Sequence, residues 1–273
     1  MDEEGKDGKA DKEIFCMEIT NGYVFRQIFE FYNQLVVNKV PMFLKENGVT
    51  IQTSISSPKE GNKLLSDVEI FTNDIIKYNI NTDLTTIKKK DSDTPCQIEK
   101  INMINIKSIL KSVSKQNSIK LYKNVGSDNI DLQIKGINID NTKIITSKYE
   151  STYFNLEDFE DIESEPNMRL DISQFCITMK GLLRDSSVAS FKFYKDGLII
   201  EGNTGDNIVK YNQWGKLEGD YKECKVGLSF IKALCKINSL SNHSIIKLFC
   251  SKPGFMKISH KIADFGEHNI YIS

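Results

Sequence analysis

The chain has 273 residues, 40% of them hydrophobic and 27% charged, with a formal net charge of -1. That length holds one large domain or two of about 130 residues. The composition is that of a folded chain, and no run reaches the ~18 apolar residues of a membrane span.

Residues 1–12 are charged and glycine-bearing, with no apolar core, and read as a solvated tail rather than a signal or transit peptide. An amphipathic stretch of helical spacing follows from Tyr23 to Leu35. Met42 to Ile51, with Asn47-Gly48 at its centre, then reads as strand, tight turn, strand. Lys88 to Asp93 reads as an exposed loop within an Asn79–Gln97 excursion, and a helix is predicted over Ile104–Lys115, followed by a strand at Ile119–Tyr122.

The same order then recurs. A helix over Ser173–Arg184 precedes a hairpin at Phe191–Ile200 with Asp196-Gly197 at its turn. A helix over Leu228–Asn238 precedes a strand at Ile246–Phe249. Between the copies, Tyr153 to Pro166 is acidic and lacks sustained periodicity, as a surface connector does. The predicted organisation is α+β in two repeated domains, each with helices packed on antiparallel sheet: 13–149 and 171–273, joined by a connector over 150–170.

Charge gathers on the predicted helices. On a helical wheel, Ile106, Ile109, Leu110 and Val113 fall on one side, and Lys107, Lys111 and Lys115 on another. Lys180 and Arg184 lie opposite Phe175, Met179, Leu182 and Leu183. Lys232 and Lys236 lie opposite Phe230, Leu234 and Ile237. Like charges at i, i+4 cost roughly 0.2–0.5 kcal/mol per pair. Three such helices point to an external polyanion, and a row of phosphates fits without any reading of sequence. The first helix contributes less, because Arg26 faces Glu30 at i+4.

No catalytic constellation emerges, and no cofactor is called for. His243, His260 and His268 lack metal-ligand spacing and read as surface or strand positions. Asp264-Phe265-Gly266 has no companion phosphate loop and reads as a strand-end turn. Gly202 to Asp206 suits a hairpin rather than a dinucleotide loop, and the acidic run Glu157–Glu165 suits a solvated linker. The six cysteines (Cys16, Cys96, Cys176, Cys224, Cys235 and Cys250) contain no Cys-x-x-Cys pair. They read as free thiols in a reducing, intracellular setting, not as a disulfide framework or a zinc site.

The closing run Lys261 to Ile272 (KIADFGEHNIYI) resembles the last strands of proliferating cell nuclear antigen, the sliding clamp. Asn102 to Lys111 resembles that family's lysine-bearing second helix, and Gly22 to Arg26 the opening of its first. The order of segments agrees from about Glu13 to Ser273. The resemblance implies a head-to-tail homotrimeric ring around double-stranded DNA, held without sequence preference. Helices would line the channel, with Arg26, Lys107, Lys111, Lys180 and Arg184 at the family's channel positions. The wheel adds Lys115, Lys232 and Lys236.

The resemblance also implies a pocket for short hydrophobic-aromatic peptides of DNA polymerase and other clamp-binding proteins, with Leu65, Phe159, Ile162, Pro253, Phe255 and Tyr271 in or near it. A clamp loader would be a further partner, and a nucleus or a viral replication compartment the setting. The ring would pair a strand around Lys143–Ser151 with one around Asn207–Trp214 of the next subunit. The sequence departs from the family in its thin first-helix basic cluster, in the Asn79–Gln97 excursion, and in ending at Ser273 without the proline-bearing tail. Two alternatives stay open: a clamp-fold processivity factor that holds DNA by a basic face without a ring, and a clamp-like scaffold in viral transcription.

Overall fold

A computed structural model describes residues 13–35, 37, 39–45, 48–57, 61–72, 77–80, 97–102, 109–127, 130–136, 139–145, 166–203, 208–212, 219–241, 243–263 and 266–273. The first half contains β1 (Glu13–Ile19), α1 (Gly22–Gln34), β2 (Lys39–Lys45), β3 (Gly48–Ser57), β4 (Asn62–Phe71), β5 (Lys77–Ile80), β6 (Gln97–Asn102), β7 (Ser118–Asn124), β8 (Ile130–Gly136) and β9 (Ile139–Ile145). The second contains β10 (Met168–Asp171), α2 (Ile172–Asp185), β11 (Val188–Tyr194), β12 (Gly197–Gly202), β13 (Ile208–Asn212), β14 (Lys222–Gly227), α3 (Leu228–Leu234), β15 (Ile245–Phe249), β16 (Met256–Ile262) and β17 (Gly266–Ile272). The α+β class and the repeated order of elements are as predicted. β10 begins inside the segment read as connector.

All strand pairs among the described residues are antiparallel. They form a five-stranded sheet (β5-β1-β7-β8-β9), a four-stranded sheet (β13-β12-β11-β14) and a central eight-stranded sheet (β10-β15-β16-β17-β4-β3-β2-β6). The central sheet fuses the two halves, because β17 pairs with β4 from Gly266↔Ile70 to Ile272↔Leu64. Two features tighten this seam. A Cβ on Gly266 would sit 2.3 Å from the Glu69 carbonyl oxygen, so only glycine lets β17 approach so closely. Asn62, at the start of β4, donates through Nδ2 to the Lys225 carbonyl (2.9 Å) and accepts from the Gly227 N–H (3.1 Å), tying β4 to β14.

Period-two alternation sets the core face. Along β4, Leu64, Ser66, Val68 and Ile70 turn inward, while Leu65, Asp67 and Glu69 turn outward. Two of the helices cap their exposed N–H groups with side chains. Asn21 accepts from the Val24 N–H (3.3 Å) to open α1, and Asp171 accepts from the Gln174 N–H (2.9 Å) to open α2. Phe25, Ile28, Phe31 and Tyr32 of α1 share one continuous core with Phe175, Met179 and Leu182 of α2 and Phe230 and Leu234 of α3. Each such side chain contributes about 1.5–3 kcal/mol when fully buried. The five described cysteines are free and buried, and Cys96 lies outside the described residues.

Three local expectations are corrected. The hairpin ladders close at Lys45↔Gly48 and Tyr194↔Gly197, so each glycine opens its second strand instead of occupying the turn. The helix predicted over Ile104–Lys115 ends, in its described part, with the helical residues Ile109 and Leu110; Lys111 and Lys115 belong to turns. The helix predicted over Leu228–Asn238 stops at Leu234 and resumes as a short 3-10 turn at Ile237–Ser239. A wheel cannot see these stops, since the apolar spacing continues past them. No helix among the described residues is long and apolar enough to cross a membrane.

His260 and His268 are strand residues, and both are buried. They form a polar chain through the core. Tyr32 donates to the Ile51 carbonyl (2.8 Å) and lies 3.2 Å from Ser66 Oγ. Ser66 Oγ is 2.9 Å from His268 Nε2, His268 Nδ1 is 3.0 Å from His260 Nε2, and His260 Nδ1 is 3.2 Å from the Lys261 carbonyl. That carbonyl can only accept, so the assignment that fits it puts a proton on His260 Nδ1, which leaves His260 Nε2 to accept from His268 Nδ1–H. His268 Nε2 is then an acceptor, and the single Ser66 hydroxyl proton goes to it at 2.9 Å in place of Tyr32 Oη at 3.2 Å. Both rings are neutral in this arrangement. Burial agrees, holding His260 down to about 4 and His268 well below the usual imidazole range.

Candidate nucleic-acid interface and peptide pocket

On α2 the side chains that leave the core recur at helical spacing: Ser173, Ile177, Lys180 and Arg184 are exposed along one stripe. Arg184 sits in the last turn, where the helix dipole favours a cation. On α3, Lys232 is exposed between the buried Ile231 and Ala233, and Lys236 is exposed just beyond the helix. α2 and α3 pack together, and a contact of 3.5 Å between Ser173 Oγ and Asn238 Oδ1 joins the start of one to the turn after the other. The four cations therefore stand on the solvent side of a helix layer whose other side is core.

The first half is arranged differently. Arg26 donates through Nε to Glu30 (2.7 Å) and through Nη1 to the carbonyls of Lys111 (3.1 Å) and Val113 (3.3 Å). Its guanidinium thus closes the carbonyl end of the turn that follows Leu110. Tyr23 lies beneath both Arg26 and Lys115, at 5.9 and 5.8 Å from ring centre to cation. Lys111 is exposed and lines, with Arg26, Phe29 and Glu30, a cavity of about 260 Å³. Lys107 lies outside the described residues.

Three of the expected pocket residues come together. Leu65, Phe255 and Tyr271 form a small apolar cluster of their own, apart from the main core, on the outer face of the central sheet. The Phe255 and Tyr271 rings are 6.4 Å apart, with Lys252 over Phe255 (5.7 Å) and Lys257 over Tyr271 (5.2 Å). Pro253 is exposed in the turn before Phe255, where Gly254 takes a left-handed φ of 77°. Phe159 and Ile162 lie outside the described residues.

The fold has clear counterparts among solved structures. Proliferating cellular nuclear antigen from Entamoeba histolytica superposes with a TM-score of 0.70 at 12% identity, covering 96% of this chain and 99% of that one. The chain has the proliferating cell nuclear antigen fold. The PCNA2–PCNA3 complex from Sulfolobus tokodaii supplies a second counterpart, with a TM-score of 0.71 at 15% identity over 94% of this chain and 98% of that one. No family model matches the sequence, and no curated protein matches it. The proliferating cell nuclear antigen fold is thus retained here on a sequence of very different content.

Sequence reasoning misses two features of this fold. Ile177, 60% exposed, stands in the middle of the cationic stripe of α2, although a helical wheel read for position alone would have shown it there. On the outer sheet face, Asp67 and Asn269 are direct cross-strand neighbours, and each has an enclosed side-chain oxygen with no hydrogen-bond partner. Only the β17–β4 pairing brings them together, and no local pattern announces it.

Proposed function

We propose that the protein is a non-enzymatic DNA sliding clamp. Copies close head to tail into a homotrimeric ring around duplex DNA, and the ring tethers a polymerase and recruits replication and repair proteins. The two clamp domains span 13–149 and 171–273, with 150–170 as connector and 1–12 as a charged tail. Lys107, Lys111, Lys115, Lys180, Arg184, Lys232 and Lys236 face the channel and meet phosphates, while Arg26 stands at the same wall held by Glu30 and two carbonyls. Partner peptides enter over Leu65, Phe255 and Tyr271, with Phe159, Ile162 and Pro253 at the pocket's rim. A clamp loader opens the ring, and the work takes place where DNA is copied, in a nucleus or a viral replication compartment.

The observation that carries this reading is the exposed row Lys180, Arg184, Lys232 and Lys236 on a helix layer backed by the core common to both halves. Flexible cations on that surface hold phosphates without reading bases, which free translation along DNA requires. The sheet edges add support. Among the described residues β9 is the last strand of the five-stranded sheet and β13 the last of the four-stranded one, so each offers an edge to another copy.

The internal commitment of Arg26 favours a second reading, an open clamp that holds DNA by the basic face of its second half. Loading on nicked circular DNA followed by linearisation separates the two. A ring remains on the circle and is lost from free ends, whereas equal retention on both forms would establish surface binding.

A further inference from the structure

Alternation along β4 and β17 places Asp67 and Asn269 side by side on the outer face of the central sheet, in direct register. Asn269 is only 9% exposed, yet its Oδ1 and the neighbouring Asp67 Oδ1 are both enclosed and accept no hydrogen bond. Buried acceptors are normally satisfied, and an empty pair this close together marks a place where donors are missing.

Two neighbours that could supply them are engaged elsewhere. Ser259, across from Asn269, gives its proton to Glu267 (2.8 Å), and Lys45 is engaged with Glu69 (3.2 Å). The charged groups facing Asp67 are the carboxylates of Glu69 and Glu267 and the ammonium groups of Lys45 and Lys257. Burial, with Glu69 and Glu267 beside it, pushes the Asp67 carboxyl up to about 6, so a further cation would be welcome there. Both oxygens are enclosed in the chain alone, but Asp67 as a whole is only half-buried, so a side chain that parts its neighbours reaches the pair from the solvent side.

Two residues along the same strands, Leu65 and Tyr271 form the next outward-facing pair, and Phe255 completes their apolar cluster. The step is about 7 Å, a single side chain's reach. A planar guanidinium offers several N–H donors in one fork and carries a permanent positive charge, so it can serve two adjacent oxygens at once. We propose that Asp67 and Asn269 seat an arginine of the partner peptide whose apolar side chain covers Leu65, Phe255 and Tyr271. This assignment rests on the reading of that cluster as a peptide pocket, and it adds a specificity element on the opposite side of Tyr271 from the chain end.

The test uses short fluorescent peptides with one Leu-Phe-Phe anchor and a single arginine walked through the flanking positions. Each is compared by anisotropy with the same peptide carrying citrulline, which keeps the shape and loses the charge. At one position the arginine peptide should bind about tenfold more tightly than its citrulline twin. Asp67→Asn should bring that ratio to about one while leaving citrulline binding unchanged, and Asn269→Leu should reduce the ratio in part. Thermal melting of both variants checks that they fold. Equal binding of arginine and citrulline at every position, or a preference that survives Asp67→Asn, overturns the proposal while the pocket stands. Failure of every peptide to bind, or binding indifferent to Tyr271→Ala, removes the pocket and the arginine seat together.

Discussion

In the second half of the chain Lys180, Arg184, Lys232 and Lys236 stand exposed with their helices' apolar faces in the core, whereas in the first half Arg26 is bound to Glu30 and to two backbone carbonyls. The two halves share one order of elements, yet a basic residue at a similar place on a helix does different work in each. In the first half a turn ends soon after Leu110 and leaves carbonyls in need of a donor, and the guanidinium fills that need. A wheel position therefore fixes which way a cation points, and the neighbouring element decides whether its charge remains available.

Because the halves are fused through β17 and β4, the largest expected effect comes from breaking that seam. Gly266→Ala drives a methyl group into the Glu69 carbonyl and should cost about 3 kcal/mol in chemical denaturation. An unchanged midpoint would mean that the halves hold together without close β17–β4 contact. The next largest effect sharpens the electrostatic contrast. Lys180→Ala, Arg184→Ala and Lys232→Ala combined should weaken duplex DNA binding at least about tenfold and lower the salt slope by about 2–3, one for each lost phosphate contact. Lys107→Ala with Lys111→Ala is the matched test of the first half. If it weakens binding as much per substituted cation as the second-half variant, both halves hold DNA alike.

Arg26→Ala should show the reverse profile. Loss of the contacts to Glu30, Lys111 and Val113 should reduce stability by about 1–2 kcal/mol, with less than about a threefold change in DNA affinity. Arg26→Lys should not restore the stability, since one ammonium cannot reproduce the fork that meets two carbonyls and a carboxylate. A large affinity loss with normal melting would return Arg26 to the channel.

Much of the fold is legible in the sequence because it is local. Helical spacing shows at Tyr23–Leu35 and Ser173–Arg184, strand alternation is plain in β7 and β11, and the repeat shows as recurring order. Long-range pairing is not legible. The register of Tyr271 on Leu65 and of Asn269 on Asp67 joins strands from opposite ends of the chain, so only the family likeness points to the apolar cluster and nothing in the sequence points to the orphan acceptors. His260 and His268 read as ordinary strand residues for the same reason. An imidazole can be buried when its two nitrogens find partners, and here those partners include Ser66 of β4 and, for each ring, the other histidine across the β16–β17 ladder.

The two faces of β4 and β17 also set the smallest and most discriminating prediction. On the inner face, His260 has its native pKa lowered to about 4, below the unfolded value of about 6.5, so the unfolded state binds more protons as pH falls through that window and stability drops. His268, held low by the same burial, acts in the same direction. On the outer face, Asp67 has its native pKa raised to about 6, so the native state binds more protons below that value and stability rises. Between about pH 7.5 and about pH 6, His260 should remove on the order of 1 kcal/mol and Asp67 should return a smaller amount. The wild-type chain should therefore lose stability modestly on acidification, and Asp67→Asn should make the loss steeper by removing the opposing proton uptake. At neutral pH the same substitution should stabilise the fold, because it removes a carboxylate crowded by Glu69 and Glu267. Denaturation midpoints of the two proteins across this pH range decide the matter: parallel curves would mean that Asp67 is already solvated and paired, and that the two faces of the seam differ less than their hydrogen bonds indicate.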